Sequence, residues 1–283
     1  MSDTTQSRVA AGSPEGSRHA QGDGRVEGSR RAPSKIDPVL VVRVTIVIAV
    51  LAAWEALAAS GWLYKDVVPS LLRIAEALWG VVSSPAFYSN LAVTALEVGV
   101  GLVIGGSAGL VAGLVLGGSR FLARAYEPFL YWLAPTPKII FFPVMIMLFG
   151  VGWQSKSAMA VISCFFPIAL SVAAGMRGID RVLIRVGRSF RANLMQMVTK
   201  VYLPAMRAPI INGVRLGFGV AVIGTLLAET KLSNQGLGFM VIQAYSLFNM
   251  PMMYALLILV FAIAITMNSA LAWLAGGEAS PGR

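Results

Sequence analysis

The chain has 283 residues, of which 57% are hydrophobic and only 13% charged, with a mean hydropathy of +0.73. A soluble domain of this length needs no such apolar composition. The formal charge of +10 is concentrated in the first 43 residues and in 177–207, which suits the loop asymmetry of a membrane protein better than a nucleic-acid surface. One cysteine (Cys164) and one histidine (His19) exclude an intrachain disulfide, a Cys/His metal set and a Ser-His-Asp centre. No GxxxxGK[ST] run supplies a phosphate loop, so the chain is expected to hold no cofactor and to be no enzyme itself.

In chain order, residues 1–37 are rich in Gly, Ser, Arg and Ala and lack large apolar side chains, so they are expected to form a disordered basic tail containing His19. Ser29-Arg30-Arg31 has the look of a twin-arginine export signal, with Ala56-Leu57-Ala58 as a cleavage site, but further apolar segments follow instead of a domain to export. The first span is predicted over about 38–60, the length that crosses a hydrocarbon core, with Arg43 near its start and Glu55 near the far interface. Residues 61–89 read as a loop carrying one short amphipathic helix, about 70–83, opened by a Pro69-Ser70 cap.

The second span, about 91–116, carries Gly101, Gly105, Gly109, Gly113 and Gly117 at every fourth position. Such a stripe lets another backbone approach closely. It fits packing within one subunit, contact between subunits, or the lining of a pathway. The third span, about 128–150, is broken by Pro135, Pro137 and Pro143, with Lys138 among them. Broken helices of this kind line protein or a water-filled cavity, so these four residues are candidates for a solute pathway, and Glu97 is a candidate partner for Lys138.

The fourth span is predicted at about 157–175 and contains Phe166-Pro167; the fifth, about 210–227, contains Asn212 and Arg215; the sixth, about 252–273, contains Asn268. Residues 229–251 form a loop between the last two spans, and a short polar tail, 276–283, closes the chain. The whole is an all-α, polytopic membrane protein with a transmembrane domain over 38–275. Between the fourth and fifth spans, Arg181, Arg185, Arg188, Arg191, Lys200 and Arg207 stand against one acid, Asp180. Val182, Leu183, Val186, Phe190, Leu194, Met197, Val198 and Val201 recur at three-and-four spacing after an Asp180 cap, and Pro204 and Pro209 are expected to stop the helix. An amphipathic helix with a cationic rim suits either anionic lipid headgroups or a soluble docking partner.

Several motifs together resemble a known family. Val186-Gly187-Arg188-Ser189-Phe190, running on through Val201-Tyr202-Leu203-Pro204-Ala205 to Pro209 and Gly213, is similar to the cytoplasmic "EAA" loop of ABC-importer permeases. Pro135-Thr136-Pro137-Lys138, Pro143-Val144, Phe149-Gly150-Val151-Gly152, Phe166-Pro167, Leu227-Ala228-Glu229 and Gly236-Leu237-Gly238 extend the likeness to inner-membrane permeases of the sulfonate, taurine and nitrate branch over about 65–272. One departure is Arg191, where the family usually carries glycine.

The resemblance implies a type I importer permease with six spans, in a bacterial inner membrane. Two permease copies pair, a cytoplasmic ATPase dimer binds the ATP, and an external solute-binding protein delivers a small solute. Solutes of this branch are often anionic, so the expected solute is a sulfonate, taurine, nitrate, or an aromatic or heterocyclic acid, and the sequence does not say which. It also implies that Gly187, Arg188, Ser189, Phe190, Arg191, Ala192, Leu203 and Pro204 form the ATPase-coupling loop. The alternative is a stand-alone secondary transporter or channel, in which broken, glycine-rich helices also occur. With the N-terminus inside, seventeen basic residues fall on the inner side and four (Lys65, Arg73, Lys156 and Lys231) outside, which places both the N-terminal tail and the 177–207 segment in the cytoplasm.

Overall fold

The computed structural model describes residues 38–61 and 67–276. The expected N-terminal tail with its paired arginines, Lys65, and all but the first residue of the C-terminal tail lie outside them. Residues up to Val50 and residues from Leu51 onward form two separate units. The described part of the first is the start of α1 (Pro38–Ser60), exposed throughout 39–50.

The second unit is helical, with no strand among the described residues: the end of α1, then α2 (Leu71–Val82), α3 (Pro85–Gly118), α4 (Arg120–Leu133), a 3-10 turn (Lys138–Phe141), α5 (Phe142–Phe149), α6 (Trp153–Arg177), α7 (Arg181–Ser189), α8 (Leu194–Gln196), a π-helical stretch (Met197–Tyr202), α9 (Leu203–Ala205), α10 (Arg207–Glu229), α11 (Leu237–Ser246) and α12 (Met250–Gly276). Five helices (α1, α3, α6, α10 and α12) are long and apolar enough to cross a bilayer, and Arg120–Leu133 with Lys138–Phe149 makes a sixth span only if these two, bent by 90° to each other, count as one.

The glycine stripe fixes the core. A Cβ on Gly105 would lie 2.5 Å from the Val161 carbonyl oxygen, one on Gly109 2.8 Å from that of Phe165, and one on Gly113 2.7 Å from that of Ala169; Gly101 abuts Ala160 and Gly117 abuts Met176. Both sets of numbers rise together, so α3 and α6 run parallel, backbone against backbone. On α10 the order reverses: Gly213 meets Ser171, Gly217 meets Ile168 and Gly224 meets Ser163. α10 is therefore antiparallel to α6. Val98, Ala160, Cys164, Ile168, Val172 and Ala221 are buried between these three helices. A second cluster, around Val81, Phe87, Leu237, Met240 and Leu256, joins α2, α11 and α12 to the start of α3.

Four local expectations change. Ser70 stands at the N-cap of α2 without a side-chain bond there; instead the Glu55 carboxylate accepts from the Leu71 N–H at 3.0 Å. The third span begins earlier, at Arg120, so Pro128 lies inside α4 and the break falls at 134–137. Pro143 opens the first turn of α5, where its missing N–H has no intrahelical partner to lose. The 229–251 loop contains a helix, α11, because its apolar face packs into the second cluster.

Candidate functional site

The basic segment folds as two arms around a sharp turn. Asp180 caps α7, its carboxylate accepting from the Val182 N–H at 2.8 Å. At the other end the Arg191 N–H donates to the Arg188 carbonyl (2.9 Å) and the Ala192 N–H to that of Gly187 (3.1 Å), with Arg191 at φ +52°. This is a Schellman ending whose left-handed position, usually glycine, is held by arginine. The second arm then starts on a reciprocal capping box: the Gln196 N–H donates to Asn193 Oδ1 (2.8 Å) and the Asn193 N–H to Gln196 Oε1 (2.9 Å).

The arms cross where Gly187 is buried; a Cβ there would lie 2.6 Å from Met197 Sδ. The apolar spacing therefore does not make one stripe on one helix. Val182, Leu183, Val186, Phe190 and Leu194 are exposed, whereas Met197 is buried and Val198 and Val201 are half-buried, because the chain turns back at 190–193. Pro204 does not end the segment either: it sits in the first turn of α9, and Pro209 lies in the first turn of α10. The break falls at Met206, which is fully buried.

Root and tip of the segment differ in kind. Ile179 and Met206 are buried in the core cluster of α3, α6 and α10, and Ile184 and Tyr202 pack against it. At the tip Phe190 is 80% exposed and Leu194 78%. Arg181, Arg185, Arg188, Arg191, Lys200 and Arg207 are all exposed, as is Ser189, and Ala192 and Leu203 are half-buried beside them. An apolar tip ringed by guanidinium groups is thus anchored in the transmembrane core.

Replacing Arg191 by glycine removes the left-handed strain of an L side chain, about 1–2 kcal/mol. The Arg191→Gly protein is expected to unfold at a higher temperature than the parent. A lower unfolding temperature would show that the Arg191 side chain contributes more than its backbone costs.

The pathway candidates are placed differently from the basic segment. Lys138 is half-buried; its Nζ donates to the carbonyls of Ala134 (2.6 Å) and Thr136 (3.4 Å) and lies 5.3 Å from the centre of the Phe166 ring. It caps the end of α4 rather than pairing with Glu97. Pro135, Pro137 and Pro143 are exposed around it.

Glu97 belongs instead to a buried cluster formed by the first half of α3, the start of α6 and the end of α10. Glu97, Lys156 and Glu229 are each no more than 2% exposed. The Glu97 carboxyl meets that of Glu229, with Lys156 in electrostatic reach of both. Lys156 was expected in an outer loop, but it lies in the first turn of α6, and its Nζ is drawn in to donate to the carbonyls of Val151 and Gly152 just before that helix. Glu229 accepts from Thr94 Oγ1 (2.6 Å) and from the Gly238 N–H (2.6 Å), while Thr94 Oγ1 accepts from the Leu237 N–H (2.9 Å) and Asn90 Oδ1 from that of Gly236 (2.7 Å). Gly236, at φ +107°, and Gly238 wrap so tightly on Glu229 that a Cβ on either would strike its carboxylate. The sequence shows these three ionisable residues within or beside apolar runs, but nothing in it paired them. Among the described residues no three His, Cys, Asp or Glu side chains converge as a metal set.

Comparison with known proteins agrees with this architecture. Residues 105–277 match the family described as binding-protein-dependent transport system inner membrane component. The chain is 27% identical over 239 residues to a "Probable ABC transporter permease protein" of Haemophilus influenzae, covering 84% of this chain and 95% of that one. It is also 27% identical over 196 residues to the taurine transport system permease protein TauC of Escherichia coli K12, covering 68% and 71%. Its fold is similar to a chain of the MetNI methionine ABC transporter in inward-facing conformations, with a TM-score of 0.56 and 21% identity over 76% of this chain and 99% of that one. Six spans counting the bent pair, a basic segment anchored in the core and a family match over most of the transmembrane region together make this chain a member of the binding-protein-dependent transport system inner membrane components, the multi-pass permease subunits of ABC transporters.

Proposed function

We propose that this chain forms the translocation path of an ABC importer for a small anionic solute, driven by an ATPase that docks on residues 181–205. The observation that carries the reading is the contrast within the basic segment. An apolar tip at Phe190 and Leu194 is left in solvent, while its roots at Ile179 and Met206 are buried between α3, α6 and α10. A partner that closed on the tip would move the transmembrane core with it. Two permease copies, an ATPase dimer and an external binding protein complete the assembly, with the solute a sulfonate, taurine or nitrate-type anion as the taurine permease likeness supports. The coupling loop comprises Gly187, Arg188, Ser189, Phe190, Arg191, Ala192, Leu203 and Pro204, and the N-terminus lies in the cytoplasm of a bacterial inner membrane. The basic asymmetry supports that orientation, and it sharpens once Lys156 leaves the outer count.

The test is binding of the cognate ATPase to the purified permease in detergent. Phe190→Ala is expected to weaken it by about thirtyfold, the scale of a hot-spot truncation of about 2 kcal/mol. Arg185→Ala should cost less and depend on salt. If the segment lies on lipid headgroups instead, Phe190→Ala leaves ATPase binding unchanged and the arginine variant weakens vesicle binding.

A further inference from the structure

The groove between α10 and α12 has a volume of about 820 Å³ and is lined by residues of those two helices alone. That is within the range of about 300–1,000 Å³ common for small-molecule sites. Its polar side chains are Asn212, Arg215 and Asn268; the rest of the lining is apolar or glycine, and it includes no acid. Arg215 Nε is buried without a hydrogen-bond partner, and among the described residues no acid forms an ion pair with Arg215. Gly219, one turn further along α10, leaves open space beside it, with nothing within 4 Å of where a Cβ would stand.

Depth makes the arginine informative. Arg215 lies eight residues into α10 and Asn268 eight residues before the end of α12, each about 12 Å from its helix end at 1.5 Å per residue. A guanidinium that far into a hydrocarbon layer of about 30 Å needs a counter-charge or water. Here the fold supplies no carboxylate, only two amides and open space. A guanidinium offers a planar fork of N–H donors that fits two oxygens of one anion, and each asparagine adds an amide donor.

We infer that Arg215, Asn212 and Asn268 bind the oxyanion group of the transported solute, a sulfonate or a planar oxyanion such as nitrate, in the groove between α10 and α12. The inference rests on the permease reading and adds to it the place where the membrane subunit itself recognises the anion. A lipid phosphate shares the chemistry, and the anionic-lipid arm of the test below separates the two sources.

The test uses the permease bound to its ATPase in phosphatidylcholine nanodiscs, with taurine, methanesulfonate and nitrate as probes and unfolding temperature as the readout. At least one of the three is expected to raise the unfolding temperature of the parent protein by about 2–4 °C. Arg215→Gln is expected to abolish that shift, and Arg215→Lys and Asn268→Ala to weaken the apparent affinity about tenfold. Indifference of the parent to all three anions overturns the site, and so does an undiminished response in Arg215→Gln. A parent protein that is stabilised only by adding anionic lipid assigns Arg215 to headgroups, and a pair of permease copies that separates on Arg215→Gln assigns it to the subunit contact; either result overturns the inference. Failure here is distinguishable from failure of the permease reading, which would appear as an ATPase that never binds the parent protein.

Discussion

Leucine at Gly105 is expected to leave no folded permease to purify. A Cβ at this position would stand 2.5 Å from the Val161 carbonyl oxygen and 2.6 Å from Cys164 Sγ. The first of these is backbone, which cannot swing aside, so the whole of α6 must move. Inserting bulk into a packed core usually costs about 1–3 kcal/mol. Here three further carbon atoms follow the Cβ, and the same contact recurs at Gly109 and Gly113, so the cost is expected at or above the top of that range. Comparison of monodisperse yield and unfolding temperature in detergent checks this, with Gly99→Ala as control. Gly99 lies on the same helix with nothing within 4 Å of a Cβ, so that substitution is expected to be tolerated. A Gly105→Leu protein as stable as the parent would mean that α3 and α6 do not meet backbone to backbone.

Alanine at Glu229 should be comparably damaging for an electrostatic reason. Its carboxylate accepts from Thr94 Oγ1 and the Gly238 N–H and faces Lys156. Removal strands those two buried donors and takes one counter-charge from Lys156, which keeps Glu97 and the Val151 and Gly152 carbonyls. Each buried donor left unsatisfied costs about 1–3 kcal/mol. Glu229→Gln keeps the shape and one acceptor, so a smaller loss is expected. Proteolysis of the 230–236 segment in detergent gives a second readout, since the backbone of Gly236, Leu237 and Gly238 is fastened to α3 and α10 through Asn90, Thr94 and Glu229. Glu229→Ala should accelerate cleavage there, and cleavage at the parent rate would refute the fastening.

Hydrophobic length and charge were legible because the bilayer reads them locally. A run of apolar residues satisfies its own backbone as a helix wherever it lies, so α1, α3, α6, α10 and α12 all coincide with predicted spans. The turn of the basic segment was half legible. Asp180 as a cap follows from local chemistry, and the Asn193–Gln196 capping box carried the same kind of signal without being read. The fold-back that divides the apolar residues at 190–193 was not legible, because three-and-four spacing continues through a break as readily as through a helix.

By itself the sequence therefore determined which segments span, where the cations gather, and that a small-residue stripe lets another backbone approach. Tertiary structure alone decided the partners. It set the stripe against α6, drew Lys156 into the bilayer region beside Glu97 and Glu229, gave Lys138 to the carbonyls at the end of α4, and opened a groove around Arg215. The reason is physical. Helix formation in an apolar medium depends on a residue's own neighbours, whereas a buried charge is stabilised by whichever groups lie within a few ångströms across the bundle. Here those groups lie up to 135 positions apart in the chain, as Thr94 and Glu229 do.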